Sequence, residues 1–195
     1  MSFCILFLLA YLAGSLCSAI VVSRAFNLPD PRVHGSKNPG TTNVLRLAGK
    51  PYAVLVLLAD VLKGTLPLLL GQWLALSAFE LGCVAMAAVL GHLYPVFFNF
   101  KGGKGVATTL GALLGLNPWL GLLTALTWLI VAALSRYSSL AAIIALSLAP
   151  VYVLLGPDKT AFFPLLLIAL LILWQHRSNI QRLIHGEETK IKLKR

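Results

Sequence analysis

Five long stretches of this chain carry no Asp, Glu, Lys or Arg: residues 3–23, 81–100, 105–135, 137–157 and 160–176. A sixth, 51–76, carries only Asp60 and Lys63. A helix crossing the hydrocarbon core needs about 20 mostly apolar residues, and its backbone groups must bond one another where no water reaches. Runs of this kind dictate an all-α integral membrane protein. Charged side chains make up 11% of the 195 residues, less than half the roughly 25% of a soluble domain. A soluble globular enzyme is excluded, and so is a disordered chain, which needs low hydrophobicity. The net charge of +10 does not point to nucleic acid, because the basic residues sit at the ends of the apolar runs.

The 31 residues from 105 to 135 are too many for one crossing. Asn117-Pro118 divides them, since proline lacks an N–H and disfavours helix in the residue before it. What precedes the break, about 105–116, is only 12 residues, or roughly 18 Å of helix. This is a short or tilted element tucked inside the bundle, and its Gly111-x-x-x-Gly115 spacing is read as a packing surface for another helix. With the short element included, the sequence predicts seven transmembrane helices in a single domain, 1–195. An odd count places the termini on opposite faces, and 14 of the 16 basic residues then fall on one of them. By the positive-inside rule that face, with the C-terminus, is cytoplasmic, and the N-terminus is outside. The first run lacks a basic leader and exceeds the length of a signal core, so it is expected to be a retained span. Cys4, Cys17 and Cys83 lie inside apolar segments without C-x-x-C spacing and are read as small core hydrophobes.

The scarce polar residues gather in three cytoplasmic places. The first is Gly35-Ser36-Lys37-Asn38-Pro39-Gly40-Thr41-Thr42-Asn43, with Arg46 three residues on. Glycines let backbone N–H groups turn toward an anion, Ser, Thr and Asn add neutral hydrogen bonds, and Thr42 or Asn43 is placed to cap a short helix carrying Arg46. The second runs from Gly91-His92-Leu93-Tyr94-Pro95 to Lys101-Gly102-Gly103-Lys104-Gly105. Two lysines bracket two glycines directly before a helical stretch, which suits a phosphate. It is not a Walker A loop, because Gly105 follows Lys104 and the upstream glycine is missing. Snorkelling lysines would need no glycines. The third is His176-Arg177-Ser178-Asn179-Ile180-Gln181-Arg182, where a continuing helix brings His176, Asn179 and Arg182 onto one face. Asp60 and Lys63 read equally as a structural ion pair or as part of the site. His34 and His185 read as solvated loop residues, and His92 as a group that caps, supports or catalyses.

Absences narrow the chemistry. Asp30, Asp60 and Asp158 are far apart in sequence, so no carboxylate cluster is in place for Mg²⁺. That argues against CDP-alcohol phosphotransferases and most nucleotide-sugar glycosyltransferases. No histidine is followed five residues on by aspartate, the pattern of thioester-using glycerolipid acyltransferases, and no Gly-x-Ser-x-Gly elbow occurs. Phosphates would be bound here without metal, cofactor or nucleotide.

Together these segments resemble the PlsY family, the acyl-phosphate:glycerol-3-phosphate acyltransferases of bacterial membranes. The resemblance rests on Gly35-Ser36-x-Asn38-Pro39-Gly40-x-Thr42-Asn43-x-x-Arg46, then Gly91-His92-x-Tyr94-Pro95-x-Phe97 with Phe100-Lys101-Gly102-Gly103-Lys104-Gly105-Val106-Ala107-Thr108, then His176-Arg177-x-Asn179-Ile180-x-Arg182-Leu183 with Gly186. Leu28-Pro29-Asp30-Pro31-Arg32 and Glu188-Thr189-Lys190 look like the proteobacterial versions. The resemblance implies transfer of a fatty acyl group from acyl-phosphate to the 1-hydroxyl of sn-glycerol 3-phosphate, in the bacterial inner membrane, with the site facing the cytoplasm. The products are 1-acylglycerol 3-phosphate (lysophosphatidic acid) and phosphate, the first acylation of phospholipid synthesis. It also implies a donor-making partner, PlsX, and a product-using enzyme, PlsC. On the family's pattern Ser36, Arg46, Lys104, His176 and Asn179 are catalytic, and Asn38, Thr42, Asn43, His92, Lys101, Gly102, Gly103 and Gly105 bind substrate. The rival from another class is an organic-phosphate membrane transporter, against which stand the one-sided polar residues and the lack of an inverted repeat. A non-catalytic scaffold leaves the glycine-lysine loop without a purpose.

Overall fold

A computed structural model describes residues 1–156 and 158–191. Lys192, Lys194 and Arg195, which contribute to the basic C-terminal tail in the charge tally, lie outside the described residues. Among the described residues the secondary structure is helical throughout, with no strand.

The first apolar run forms α1 (Ser2–Gly14) and α2 (Ser18–Ala25), bent by 45°. The bend frees the Leu16 carbonyl, which accepts from Lys63 Nζ at 2.8 Å. After a long loop come α3 (Thr41–Ala48) and α4 (Lys50–Trp73), separated by Gly49. The turn before α5 (Ala78–Leu93) is fixed by a capping box: Glu80 N donates to Ser77 Oγ, and Ser77 N donates to Glu80 Oε2 at 2.8 Å. α5 is the central helix, with Val84, Ala85, Ala87, Ala88 and Val89 all fully buried.

A single 3₁₀ turn, Val96–Phe98, leads into the glycine-lysine loop and α6 (Val106–Leu116). The expected break is present: Asn117 Oδ1 accepts from Trp119 N at 2.9 Å and Pro118 opens α7 (Pro118–Ser135). The Gly111-x-x-x-Gly115 surface packs against α4, as read from the sequence. A Cβ at Gly111 would lie 2.0 Å from the Val61 carbonyl oxygen, and Gly64 answers it from α4, a Cβ there falling 2.2 Å from Thr108 O. Thr65 Oγ1 then bonds Gly111 O at 2.8 Å across the contact. α8 (Ser138–Leu154), α9 (Phe162–Gln175) and α10 (Arg177–Ile184) complete the bundle, with a bend of 57° between the last two. His176 therefore sits at a break and not within one continuing helix.

Among the described residues three helices, α4, α5 with its 3₁₀ extension, and α7, are individually long and apolar enough to cross a membrane; counting each bent pair as one span raises this to five. α6 and α8 are shorter apolar helices of 11 and 17 residues. The outward face of α7 is heavily apolar, with Trp119 73% and Leu134 83% exposed, as expected of a surface that meets lipid chains instead of water.

Candidate active site

The three polar motifs, spread over residues 35–182 of the sequence, converge on one cavity of about 900 Å³. Its polar end is made of loops and helix termini. From the first motif come Ser36, Asn38, Thr42, Asn43 and Arg46; from the second His92, Lys104 and Gly105; from the third His176, Asn179 and Arg182. Its other end is made of helix faces: Leu57 of α4, Leu110 of α6, Ala125, Trp128 and Leu129 of α7, and Ala142, Ala145 and Leu146 of α8. Leu57 and Leu129 at this end are exposed, Leu129 on the same helix as the exposed Trp119 and Leu134.

Lys104 is the centre of the polar end. Its Nζ donates to Asn179 Oδ1, joining the second and third motifs. Burial, together with the positive charges of Arg182 and Arg46, pushes its pKa down to about 8, and the Glu188 carboxylate opposes that shift. It stands at the start of α6, where Thr109 N makes the first helical bond to Gly105 O. The amides of Val106, Ala107 and Thr108 therefore have no acceptor within the helix and face the same end as the ammonium group. His176 is buried, and its Nδ1 donates to the Ile172 carbonyl at 2.8 Å. A carbonyl only accepts, so in the neutral ring Nε2 carries the lone pair.

Several expectations need correction. Neither Thr42 nor Asn43 caps α3, whose N-cap is Gly40 without a side-chain bond. Asn43 is 1% exposed and frames the loop: its Nδ2 donates to Pro31 O and His34 O at 2.9 and 3.0 Å, and its Oδ1 accepts from Ser36 N at 2.9 Å. With its amide so occupied it shapes the first motif, while still lining the cavity. The glycine amides are occupied too, since Gly102 N donates to Leu93 O and Gly103 N to His92 O. Lys101 is exposed, and none of Lys101, Gly102 and Gly103 lines the cavity. The free backbone amides beside Lys104 are those of the α6 N-terminus, where Val106 and Ala107 line the cavity. Thr42 Oγ1 lies 3.3 Å from Ser138 Oγ and ties the first loop to α8.

Glu188 is the residue the sequence does not reveal. Gly186, at φ +72°, turns the chain back after α10, and residues 187–191 cross the cavity mouth. Glu188 accepts from Ser139 Oγ at 3.0 Å, Asn179 Nδ2 at 2.9 Å and Arg182 Nε at 2.8 Å. Burial would raise its pKa, but those hydrogen bonds and the Arg182 charge hold it below the usual carboxylate range. Arg136 anchors the strap, Ile191 N donating to Arg136 O at 2.7 Å. The one available signal was a helix-ending glycine followed by acids in an otherwise basic tail.

Fold and cavity together define the class: a helical integral membrane protein whose bundle encloses a site polar and cationic at one end and apolar at the other. The glycerol-3-phosphate acyltransferase family profile matches residues 4–186. A glycerol-3-phosphate acyltransferase of Legionella pneumophila is 54% identical over 193 residues, covering 98% of this chain and 70% of that protein. One from Coxiella burnetii is 48% identical over 193 residues, covering 99% of this chain and 100% of its own. Crystal structures of PlsY (YgiH), an integral membrane glycerol 3-phosphate acyltransferase, superpose closely. The glycerol 3-phosphate form has a TM-score of 0.93 at 40% identity, covering 98% of this chain and 96% of that one. The lysophosphatidic acid form has a TM-score of 0.91 at 39% identity over the same shares. The chain belongs to the glycerol-3-phosphate acyltransferase family and is an acyltransferase of phospholipid synthesis.

Proposed function

We propose that the chain transfers a fatty acyl group from acyl-phosphate to the 1-hydroxyl of sn-glycerol 3-phosphate, giving lysophosphatidic acid and phosphate. The observation that carries this is the two-ended cavity. Both substrates bring a phosphate, for which Arg46, Lys104 and Arg182 supply cations, and the donor alone brings a long apolar chain, for which the α4–α6–α7–α8 cleft supplies a wall. A solved relative described in a glycerol 3-phosphate form and a lysophosphatidic acid form supports the acceptor and the product.

An acyl-phosphate is a mixed anhydride, so the leaving group is already activated. The protein has to bring the hydroxyl to the carbonyl carbon and neutralise charge on the departing phosphate. In this mechanism the donor phosphate lies at the α6 N-terminus beside Lys104. Ser36, Arg46, Lys104, His176 and Asn179 hold glycerol 3-phosphate, and Lys104 touches both phosphates. Asn38, Thr42 and Gly105 border the acceptor, and His92 supports the loop. The hydroxyl oxygen forms the ester bond as the carbonyl–phosphate bond breaks, and its proton leaves on a phosphate oxygen. His176 Nε2 orients that hydroxyl.

The topology that goes with this chemistry has seven membrane crossings in a single domain, 1–195, with the bent pairs, α6 and α8 each counted as one. The N-terminus is outside and the C-terminus and the site are cytoplasmic, in the bacterial inner membrane. PlsX supplies the donor and PlsC consumes the product.

The test is product formation by the purified protein in lipid with labelled glycerol 3-phosphate, chelator, and either palmitoyl-phosphate or palmitoyl-CoA. Lysophosphatidic acid should form from the acyl-phosphate alone. Formation from the thioester would mean the donor is misassigned.

A further inference from the structure

Asp60 and Lys63 are buried in α4, with side chains 2% and 7% exposed, and Lys63 Nζ lies 2.8 Å from Asp60 Oδ1. Lys63 also donates to Leu16 O at the α1–α2 bend, which accounts for the lysine. It does not account for the position of the carboxylate. Asp60 lines the cavity that is otherwise dressed for anions, where a negative charge opposes phosphate binding. A buried ion pair by itself contributes little net stability. The second neighbour of Asp60 gives the carboxylate a purpose: Asp60 Oδ1 faces His92 Nδ1 at 3.5 Å. His92 Nδ1 is buried and makes no hydrogen bond among the described residues, so the Asp60 carboxylate beside it is its polar neighbour.

The opposite edge of the same ring seats the glycine-lysine loop. A Cβ on Gly103 would stand 2.3 Å from His92 Nε2, so the ring lies flush against the Gly103 backbone. The His92 carbonyl holds the same residue, accepting from Gly103 N at 3.1 Å. Gly103 is gripped by both ends of His92, and the next residue is Lys104. A small rotation of the ring would move the loop and swing the ammonium group away from Asn179. A carboxylate beside Nδ1 can fix that rotation, as an aspartate orients a histidine in a triad, and Asp60 Oδ1 is the group placed there.

We propose that Asp60 is a positioning residue of the enzyme, acting through His92 to fix the Gly103 backbone and with it the direction in which Lys104 enters the cavity. The proposal rests on the acyl-transfer reading above only for its turnover readout; its binding readout stands alone.

The experiment compares Asp60→Asn/Lys63→Met, which removes both buried charges together, with His92→Gln and with the triple variant, all in lipid nanodiscs. Affinity for glycerol 3-phosphate is measured by calorimetry, turnover with palmitoyl-phosphate by product, and folding by thermal melting. With melting unchanged, both the double variant and His92→Gln should lose roughly tenfold in affinity, and the triple variant should be no worse than either, since residues acting as one unit are strongly non-additive. A double variant within about twofold of wild type would show that Asp60 only balances Lys63, and multiplying losses would show that it does not act through His92. Should the double variant not fold, His92→Gln decides alone, because the ion pair is intact there; wild-type affinity would overturn the proposal. Affinities that move as expected while the wild-type protein makes no lysophosphatidic acid would fault the acyl-transfer reading and leave the dyad standing.

Discussion

The two ends of the cavity are built by opposite means. The polar end is assembled from loop residues, helix termini and a returning strap: Ser36 precedes α3, Lys104 precedes α6, His176 sits between α9 and α10, and Glu188 follows α10. Its charges have named partners: Lys104 donates to Asn179 of the third motif, and Arg182 to Glu188 of the strap. The apolar end has no such cross-ties. It is the space left among α4, α6, α7 and α8, where Ala142 and Ala145 are small and Trp128 is large. One end works by placing a few charges accurately, the other by volume. Substitutions at the first should therefore change rate for every donor, and substitutions at the second should sort donors by length.

The largest effect is expected at Lys104. On the proposed placement Lys104→Ala removes a partly buried ammonium from both phosphates, at about 3 kcal/mol of transition-state stabilisation, or roughly 100-fold in kcat/KM. Arg46 is exposed in this structure, and its truncation should cost less, about 2 kcal/mol or roughly 30-fold. Both losses should be the same for short and long donors. A Lys104→Ala enzyme within a factor of three of wild type would remove the ammonium from the reaction.

Glu188 gives the next largest effect and a pH signature. The free enzyme's Lys104 is charged below a pKa of about 8, and binding of phosphate needs the charged form, so kcat/KM should fall as pH rises through that value. Glu188 is the negative charge that raises that pKa. In Glu188→Gln, which keeps one amide oxygen as acceptor but removes the charge, the alkaline limb should move to lower pH. A limb that stays in place, or moves up, would show that another group governs it. The acidic limb should be unchanged, because it reports the second ionisation of substrate phosphate, near pH 6.

What was legible in the sequence follows the same division. The apolar helical segments, the break at Asn117-Pro118 and the Gly111–Gly115 packing face could be read, because each follows from one local rule about apolar length, proline or close helix contact; the bends of 45° and 57° in the first and last runs could not. The list of polar residues was legible as well, since a charged or glycine-rich cluster stands out in an apolar chain. What each does was not. Whether the amides of Gly102 and Gly103 face an anion or the end of α5 depends on where α5 stops. That the Asn43 amide is bonded to Pro31, His34 and Ser36, and so frames the loop, depends on a fold of that loop which spacing does not show. Glu188 sits in a short strap whose path is set by Arg136, more than 50 residues away in sequence. The acyl cleft was invisible, because its lining residues are the same Leu and Ala found on every face of every span.

That cleft is testable by its volume. Ala145 is buried and lines it from α8, so Ala145→Leu should fill space that the far end of a long chain would occupy. Each methylene shut out forfeits about 0.8 kcal/mol of burial. The ratio of kcat/KM for a 16-carbon donor to that for a 10-carbon donor should fall by roughly tenfold, with affinity for glycerol 3-phosphate unchanged. An equal loss for both donors would place Ala145 outside the chain's path.

The smallest effect should come at Lys101, and it is the sharpest check on the division. Lys101 and Lys104 bracket the same two glycines and are indistinguishable by type. Yet Lys101 is exposed and outside the cavity, while Lys104 is anchored within it. An exposed ammonium in water or among headgroups interacts weakly and is screened by salt, on the order of 0.2–1 kcal/mol. Lys101→Ala should therefore stay within about fivefold of wild type, and the difference should shrink further at high salt. Steady-state rates at low and high salt measure both. A loss as large as that of Lys104→Ala would mean the loop closes on substrate so that both lysines grip phosphate, with Gly102 and Gly103 leaving the end of α5 to do so.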